Sequence, residues 1–254
     1  MKSWNRRYLT PLGRLTVLKT LLLPQLNHIF ASLPNPSDSQ LKDLESCFFT
    51  FVMGNSNFRV KKDVFTKNYN KGGLKMVSIK EFIMSLKLMS MKKMVIQNDC
   101  LLSMLNLDIT KLILCGKAYI IERIKYISNN FWKDVLKSWL YFSEKISELK
   151  LNAAMEPLFY NTNFLVGKKP IFYKRWYENK IFVVNDILTE DGSFMDFNTF
   201  NLIYGMRAHF LEYNGLLASV KDWVKKTNNI LVKTSSPYIT NNFLYLLNAT
   251  NPKY

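Results

Sequence analysis

The chain reads as a mainly α protein, a helical bundle followed by a second mainly helical region with one or two short strands. Three observations predict this. Apolar residues recur at steps of three or four over long stretches, the period of a helix with one buried face. Helix starts are signalled by Thr10-Pro11, Ser37-x-x-Gln40 and Ser78-x-x-Glu81. The helical pattern breaks mainly around Glu156–Ile187, where Pro157, the Gly167–Pro170 turn and Val183-Val184 suggest loops and short strands. With 254 residues, 48% of them hydrophobic and 14% aromatic, the chain is globular and long enough to bury a real core.

The first helix is organised by its cap. The Thr10 hydroxyl can accept an orphan N–H of the first turn, and Pro11 suits the first helical position because its missing N–H had no partner there. Leu12, Leu15, Leu18, Leu22, Leu26 and Ile29 then form one stripe. Arg7, Arg14 and Lys19 lie off the stripe, and Arg7 and Arg14 share a face if the helical turn reaches back to Arg7. Pro24 removes a backbone bond and clashes with the preceding turn, so a kink at Gln25 or a pair of helices is expected.

Leu33-Pro34-Asn35-Pro36 is a rigid connector. A capping box at Ser37 and Gln40 opens a second helix, with Leu41, Leu44, Phe48, Phe51 and Val52 facing the first helix and Gly54 ending it. Residues 55–75 lack a helical period. There Arg59, Lys61, Lys62, Lys67, Lys71 and Lys75 interleave with Phe58, Val60, Phe65 and Tyr69, which suits an extended segment or hairpin arm facing a phosphate backbone. Gly72-Gly73 allows a positive φ or a close backbone approach. Ser78 and Glu81 open a third helix that Phe82, Leu86, Met89, Lys93 and Met94 continue, with Lys87, Lys92 and Lys93 as its exposed cations. Its methionines read as adaptable core. Asn98-Asp99 ends this unit, and residues 96–100 are the expected boundary.

The expected domains are therefore 1–97 with a basic loop at 55–75, 98–227, and a weakly ordered tail at 228–254. Helices are expected around Leu101–Leu107, Ile109–Ile127 and Phe131–Lys150, with Ile120, Ile124, Ile127, Phe131, Trp132, Val135, Leu136, Trp139 and Leu140 in the core. Asp191-Gly192 signals a turn before Phe194. Helices return at Asn198–Tyr204 and Ala208–Val220, and Phe243–Leu247 is the one apolar run of the tail.

The net charge of +16 points to a polyanionic partner, either nucleic acid or an anionic membrane surface. Abundant Lys, Asn, Ile, Phe and Tyr also fit an A+T-rich coding sequence, but the charge is uneven. Residues 1–100 carry 16 Lys and Arg against 6 Asp and Glu, while residues 101–254 carry 19 against 13. Per residue the net charge of the first part is about two and a half times higher, which codon bias alone would not produce. A basic binding surface is expected there.

Other chemistry is missing. Cys47, Cys100 and Cys115 are too scattered for a disulfide framework or a metal pair, and His28 and His209 are isolated. No glycine-rich phosphate loop or nucleophile motif occurs, and the carboxylates are scattered, so neither a cofactor nor a catalytic residue is assigned. Lys2, Arg6 and Arg7 ahead of an apolar run imitate a secretion signal, but Lys19 interrupts the run and the periodic face continues past Pro24. No stretch has the 18 or more uninterrupted apolar residues of a spanning helix. The expected location is intracellular, in nucleus or cytoplasm.

Trp4-x-x-Arg7-x-Leu9-Thr10-x-x-Gly13-Arg14, then Lys19, Leu23-Pro24 and Leu33-Pro34, resembles the region after the palm in reverse transcriptases of non-LTR (LINE-type) retrotransposons. Phe48-Phe49-x-Phe51-Val52, Arg59–Lys62, and Gly72-Gly73-Leu74 followed by Phe82 and Lys87 continue the likeness. Pro157, Phe159-Tyr160-Asn161, Trp176, Ile181, Asp186 and Asp191-Gly192-x-Phe194 look similar to the stretch beyond the thumb in many invertebrate elements. Met53 stands where members commonly have Trp, and Lys180 where Gly is frequent.

The resemblance implies a helical thumb-like domain at 1–97, which holds primer and template, and a linker-like region after it. It also implies that the polymerase carboxylates and the endonuclease belong to parts this sequence lacks, since no Asp-Asp pair occurs. The expectation is a non-catalytic fragment binding RNA, RNA–DNA hybrid or duplex through its backbone, with Arg7, Arg14, Lys19, Arg59, Lys61, Lys62, Lys71 and Lys75 on phosphate. No membrane or small-molecule substrate is expected. The alternatives are a helical scaffold for partner proteins and a translated remnant without selected function.

Overall fold

The computed structural model describes residues 7–54, 61–97, 108–147 and 153–233. The protein is mainly helical, with one two-stranded antiparallel sheet among the described residues. It divides into two compact units. The first comprises Met1–Ser90 with Asn129–Ser138, and the second Met91–Ser128 with Trp139–Tyr254.

In the first unit, α1 (Pro11–Val17) starts where Thr10 Oγ1 accepts the Gly13 N–H at 3.2 Å. Residues Leu18–Leu22 form a π-helical turn that leads directly into α2 (Leu23–Ser32). This turn replaces the expected kink. Leu23 N–H bonds Leu18 O, one residue further back than in an α-helix, and the widened turn accommodates the Pro24 ring and its missing donor. The extra residue also displaces the apolar stripe by one position. Leu15 and Leu18 are buried as expected, but downstream Leu23 and Phe30 are buried while Ile29 is exposed, and Leu12 is exposed at the start.

The second helix, α3 (Asp38–Met53), has the expected capping box at Ser37 and Gln40 and ends at Gly54 with φ 69°. Phe48, Phe51 and Val52 bury against Leu15, Leu18, Leu23 and Phe30 in one core. That core continues through Phe65, Met76, Ile79 and Ile83.

The described part of the basic segment is compact, not an extended arm. A short helix, α4 (Lys62–Thr66), and a 3-10 turn (Tyr69–Lys71) fold back on themselves. Phe65 O accepts both Leu74 N–H and Met76 N–H, and burial of Phe65 and Met76 closes the loop onto the core. The two glycines divide the work: Gly72 adopts φ 72°, and a Cβ on Gly73 would stand 2.0 Å from Lys67 O.

The third long helix, α5 (Ile79–Gln97), buries Ile79, Ile83, Leu88 and Met91, a face next to the expected one. Lys87 is not an exposed cation. It is fully buried, its ammonium donating to Leu33 O beyond the end of α2 and lying 4.1 Å from the Phe131 ring centroid. Asp134 Oδ2 accepts Asn35 N–H at 2.8 Å in the same region. A buried ammonium stays only where such partners replace water, and these are on segments distant in sequence.

Of the expected boundary at residues 96–100, Ile96 and Gln97 end α5, and the rest, with the expected helix at 101–107, lies outside the described residues. Ile109–Ile127 is two helices, α6 (Ile109–Leu114) and α7 (Lys117–Tyr126), separated at Cys115-Gly116. Gly116 is required there because a Cβ would meet Asn161 Cα and Tyr160 O at 2.6 Å. α8 (Asn130–Ser147) begins with Asn129 Oδ1 accepting Phe131 N–H at 2.9 Å.

In the second unit, β1 (Leu165–Val166) and β2 (Lys169–Pro170) form a hairpin whose two turn residues, Gly167 and Lys168, both have positive φ. After α9 (Lys174–Glu178), Pro157 bridges Val183 and Leu188 bridges Phe194 around the Asp191-Gly192 turn. Asp186 Oδ2 accepts the N–H groups of Phe182 and Val183 at 2.7 and 3.0 Å, and Asp186 O accepts the Tyr204 hydroxyl at 2.6 Å. α10 (Phe197–Tyr204) and α11 (Phe210–Thr227) close the unit around the mutually tilted rings of Trp176, Phe200 and Tyr213. Lys233 is tied to Leu188 O and Glu190. Phe243–Leu247 lies outside the described residues.

Candidate nucleic-acid interface

The basic residues of the first unit fall into two kinds, those engaged by the protein and those turned outward. Arg14 is half-buried. Its Nε donates to Leu9 O and its Nη1 to Phe51 O, both at 3.2 Å, so the guanidinium serves the last turn of α3, where carbonyls lack helical partners. Arg7 is exposed and precedes Thr10, the cap of α1, so the helical turn does not reach back to place it on the face of Arg14.

Lys19 lies on the π turn, half-buried, and Lys75 lies just past Gly72-Gly73 with φ 53°. Burial lowers the Lys19 pKa, and the positive charge of Lys75 lowers it further, so these two cations, distant in sequence, lie within electrostatic range of one another. Lys71 ends the 3-10 turn and is exposed, and Lys61 is exposed at the cap of α4. Among the described residues, none of Lys19, Lys61, Lys71 and Lys75 makes an ion pair with a carboxylate. Lys62 is the first residue of α4, and Arg59 lies outside the described residues.

Sequence reading did not find the convergence of Lys19 with Lys75, because no local pattern links a helix position to a loop position far along the chain. It also ranked Tyr69 as an interleaved apolar residue. Tyr69 is 55% exposed, and Lys75 Nζ lies over its ring at 5.9 Å from the centroid.

The motif residues beyond position 150 have structural partners. Asn161 is buried and donates to Pro157 O and Glu156 Oε1 at 2.8 and 3.0 Å, while Trp176 and Ile181 are core. Among the described residues no group of three or more His, Cys, Asp or Glu side chains could hold a metal ion, and no helix is long and apolar enough to cross a membrane. No protein-family model and no curated protein matches the chain.

Proposed function

We propose that the protein is a non-catalytic, intracellular nucleic-acid-binding module, akin to the thumb and linker region of a LINE-type reverse transcriptase. It holds primer–template or template RNA through the phosphate backbone without reading sequence. The observation that carries this reading is the electrostatic proximity of Lys19 and Lys75, with exposed Lys71 in the same loop as Lys75, like charges that a bound polyanion would stabilise. The resemblance has local support as well. Lys180, where that family often has Gly, adopts φ 61°, a conformation that favours glycine.

The test is a salt titration of binding to an RNA–DNA hybrid. Affinity falls steeply between low and moderate salt, and Lys19→Glu with Lys75→Glu weakens binding to all sequences alike and flattens the salt slope by about 2. A flat titration for the unaltered protein overturns the reading.

A protein-interaction scaffold is favoured by a different observation. Leu202 and Leu211, in α10 and α11, are 83% and 81% exposed, apolar side chains that a protein partner would cover. On that reading the unaltered protein binds hybrid no better than the Lys19→Glu, Lys75→Glu variant does.

A further inference from the structure

Tyr69 is an exposed aromatic ring held in place by the backbone. Its 3-10 turn is closed by Gly72 N–H on Tyr69 O at 2.9 Å and Gly73 N–H on Asn68 O at 3.1 Å, and Lys75 N–H bonds Lys67 O at 2.9 Å. The close approach of Gly73 to Lys67 O leaves this loop little freedom. Phe65, four residues earlier in α4, turns inward and is 6% exposed. Tyr69 instead stays out, with Lys75 Nζ over its ring and exposed Lys71 two residues away.

A ring beside cations is a base-stacking platform with phosphate contacts adjoining it. Within a duplex each base pair is covered on both faces by its stacked neighbours, so away from the ends only an unpaired nucleotide offers a face to such a ring. Its phosphate then lies on the same residue as the stacked base, within the field of the neighbouring ammonium groups. We propose that Tyr69 stacks an unpaired base whose phosphate is held by Lys75 and Lys71, so that the protein prefers nucleic acid carrying a single-stranded segment over a blunt duplex. This rests on the phosphate-binding reading above and names the substrate class that the same surface selects.

The experiment measures anisotropy with a blunt RNA–DNA hybrid, the same hybrid carrying a single-stranded RNA overhang, and single-stranded RNA alone. The unaltered protein binds the overhang hybrid at least fivefold tighter than the blunt one. Tyr69→Ala loses that advantage and changes blunt-hybrid affinity less than twofold, while Tyr69→Phe retains it. Equal affinity for blunt and overhang probes in the unaltered protein overturns the stacking proposal and leaves salt-sensitive phosphate binding standing. An advantage that survives in Tyr69→Ala also overturns it. Absence of binding to all three probes overturns both readings.

Discussion

The guanidinium of Arg14 occupies the space that a side chain on Gly54 would need. Arg14 Nη1 would be 2.4 Å from a Cβ at Gly54, a residue already at φ 69°, while the same nitrogen donates to Phe51 O. One arginine thus fastens the start of α1 to the end of α3. Arg14→Ala is expected to cost about 2 kcal/mol by leaving Leu9 O and Phe51 O without their charged donor. Gly54→Ala costs a similar amount through backbone strain and displacement of the guanidinium. Together they cost less than the two separate losses, because removing Arg14 opens the space. A double-mutant cycle in urea checks this. A binding test at Arg14 would read the fold along with any phosphate contact, so Lys19 and Lys75 are the better probes.

Gly116→Ala is expected to lower stability by about 1–3 kcal/mol. Its Cβ would meet backbone atoms of Tyr160 and Asn161, which cannot rotate aside, and the Gly116 N–H bond to Phe159 O at 2.7 Å would lengthen. The urea midpoint should fall with no change in slope.

Lys180→Gly is expected to stabilise by about 0.5–1 kcal/mol, since it relieves a left-handed backbone on a residue with a Cβ. Lys168→Gly, at φ 66° in the hairpin turn, should act in the same direction. Lys221→Gly within α11 should cost about 1 kcal/mol and serves as the control in thermal unfolding.

Lys87 gives the fold a pH dependence. Burial holds its amine at about 8, against an ordinary value of 10.5, with the Asp134 carboxylate opposing the shift. Between those values the unfolded chain keeps a proton that the folded chain has released, so stability from this group rises with pH from about 8 to 10.5. The span is on the order of 3 kcal/mol. Below 8 both states are protonated and the burial cost applies in full. Lys87→Met should lack this rise when denaturant midpoints of the two proteins are compared from pH 7 to 10.5.

What the sequence made legible was mostly local. The Thr10 and Ser37 caps, the Gly167–Pro170 turn and the Asp191-Gly192 turn depend on neighbouring residues and could be read directly. The buried face of α5 could not, because apolar residues surround that helix and periodicity gives it no clear side; Met89 is exposed and Ile83 buried. Lys87 looked like any surface lysine, since Phe131, Asp134 and the Leu33 carbonyl reach it only through the fold. In the candidate interface the cations were visible by composition. Their arrangement was not, because the loop is set by bonds from Phe65 O to Leu74 and Met76 and by the distant approach of Lys19.

The π turn at Leu18–Leu22 makes the first long helix one residue longer than its buried face requires. A chain related to this one but lacking Pro24 would have no need of that residue. It is expected to be one position shorter across the turn while burying residues equivalent to Leu23 and Phe30. The inserted residue and the proline are therefore expected to be gained or lost together.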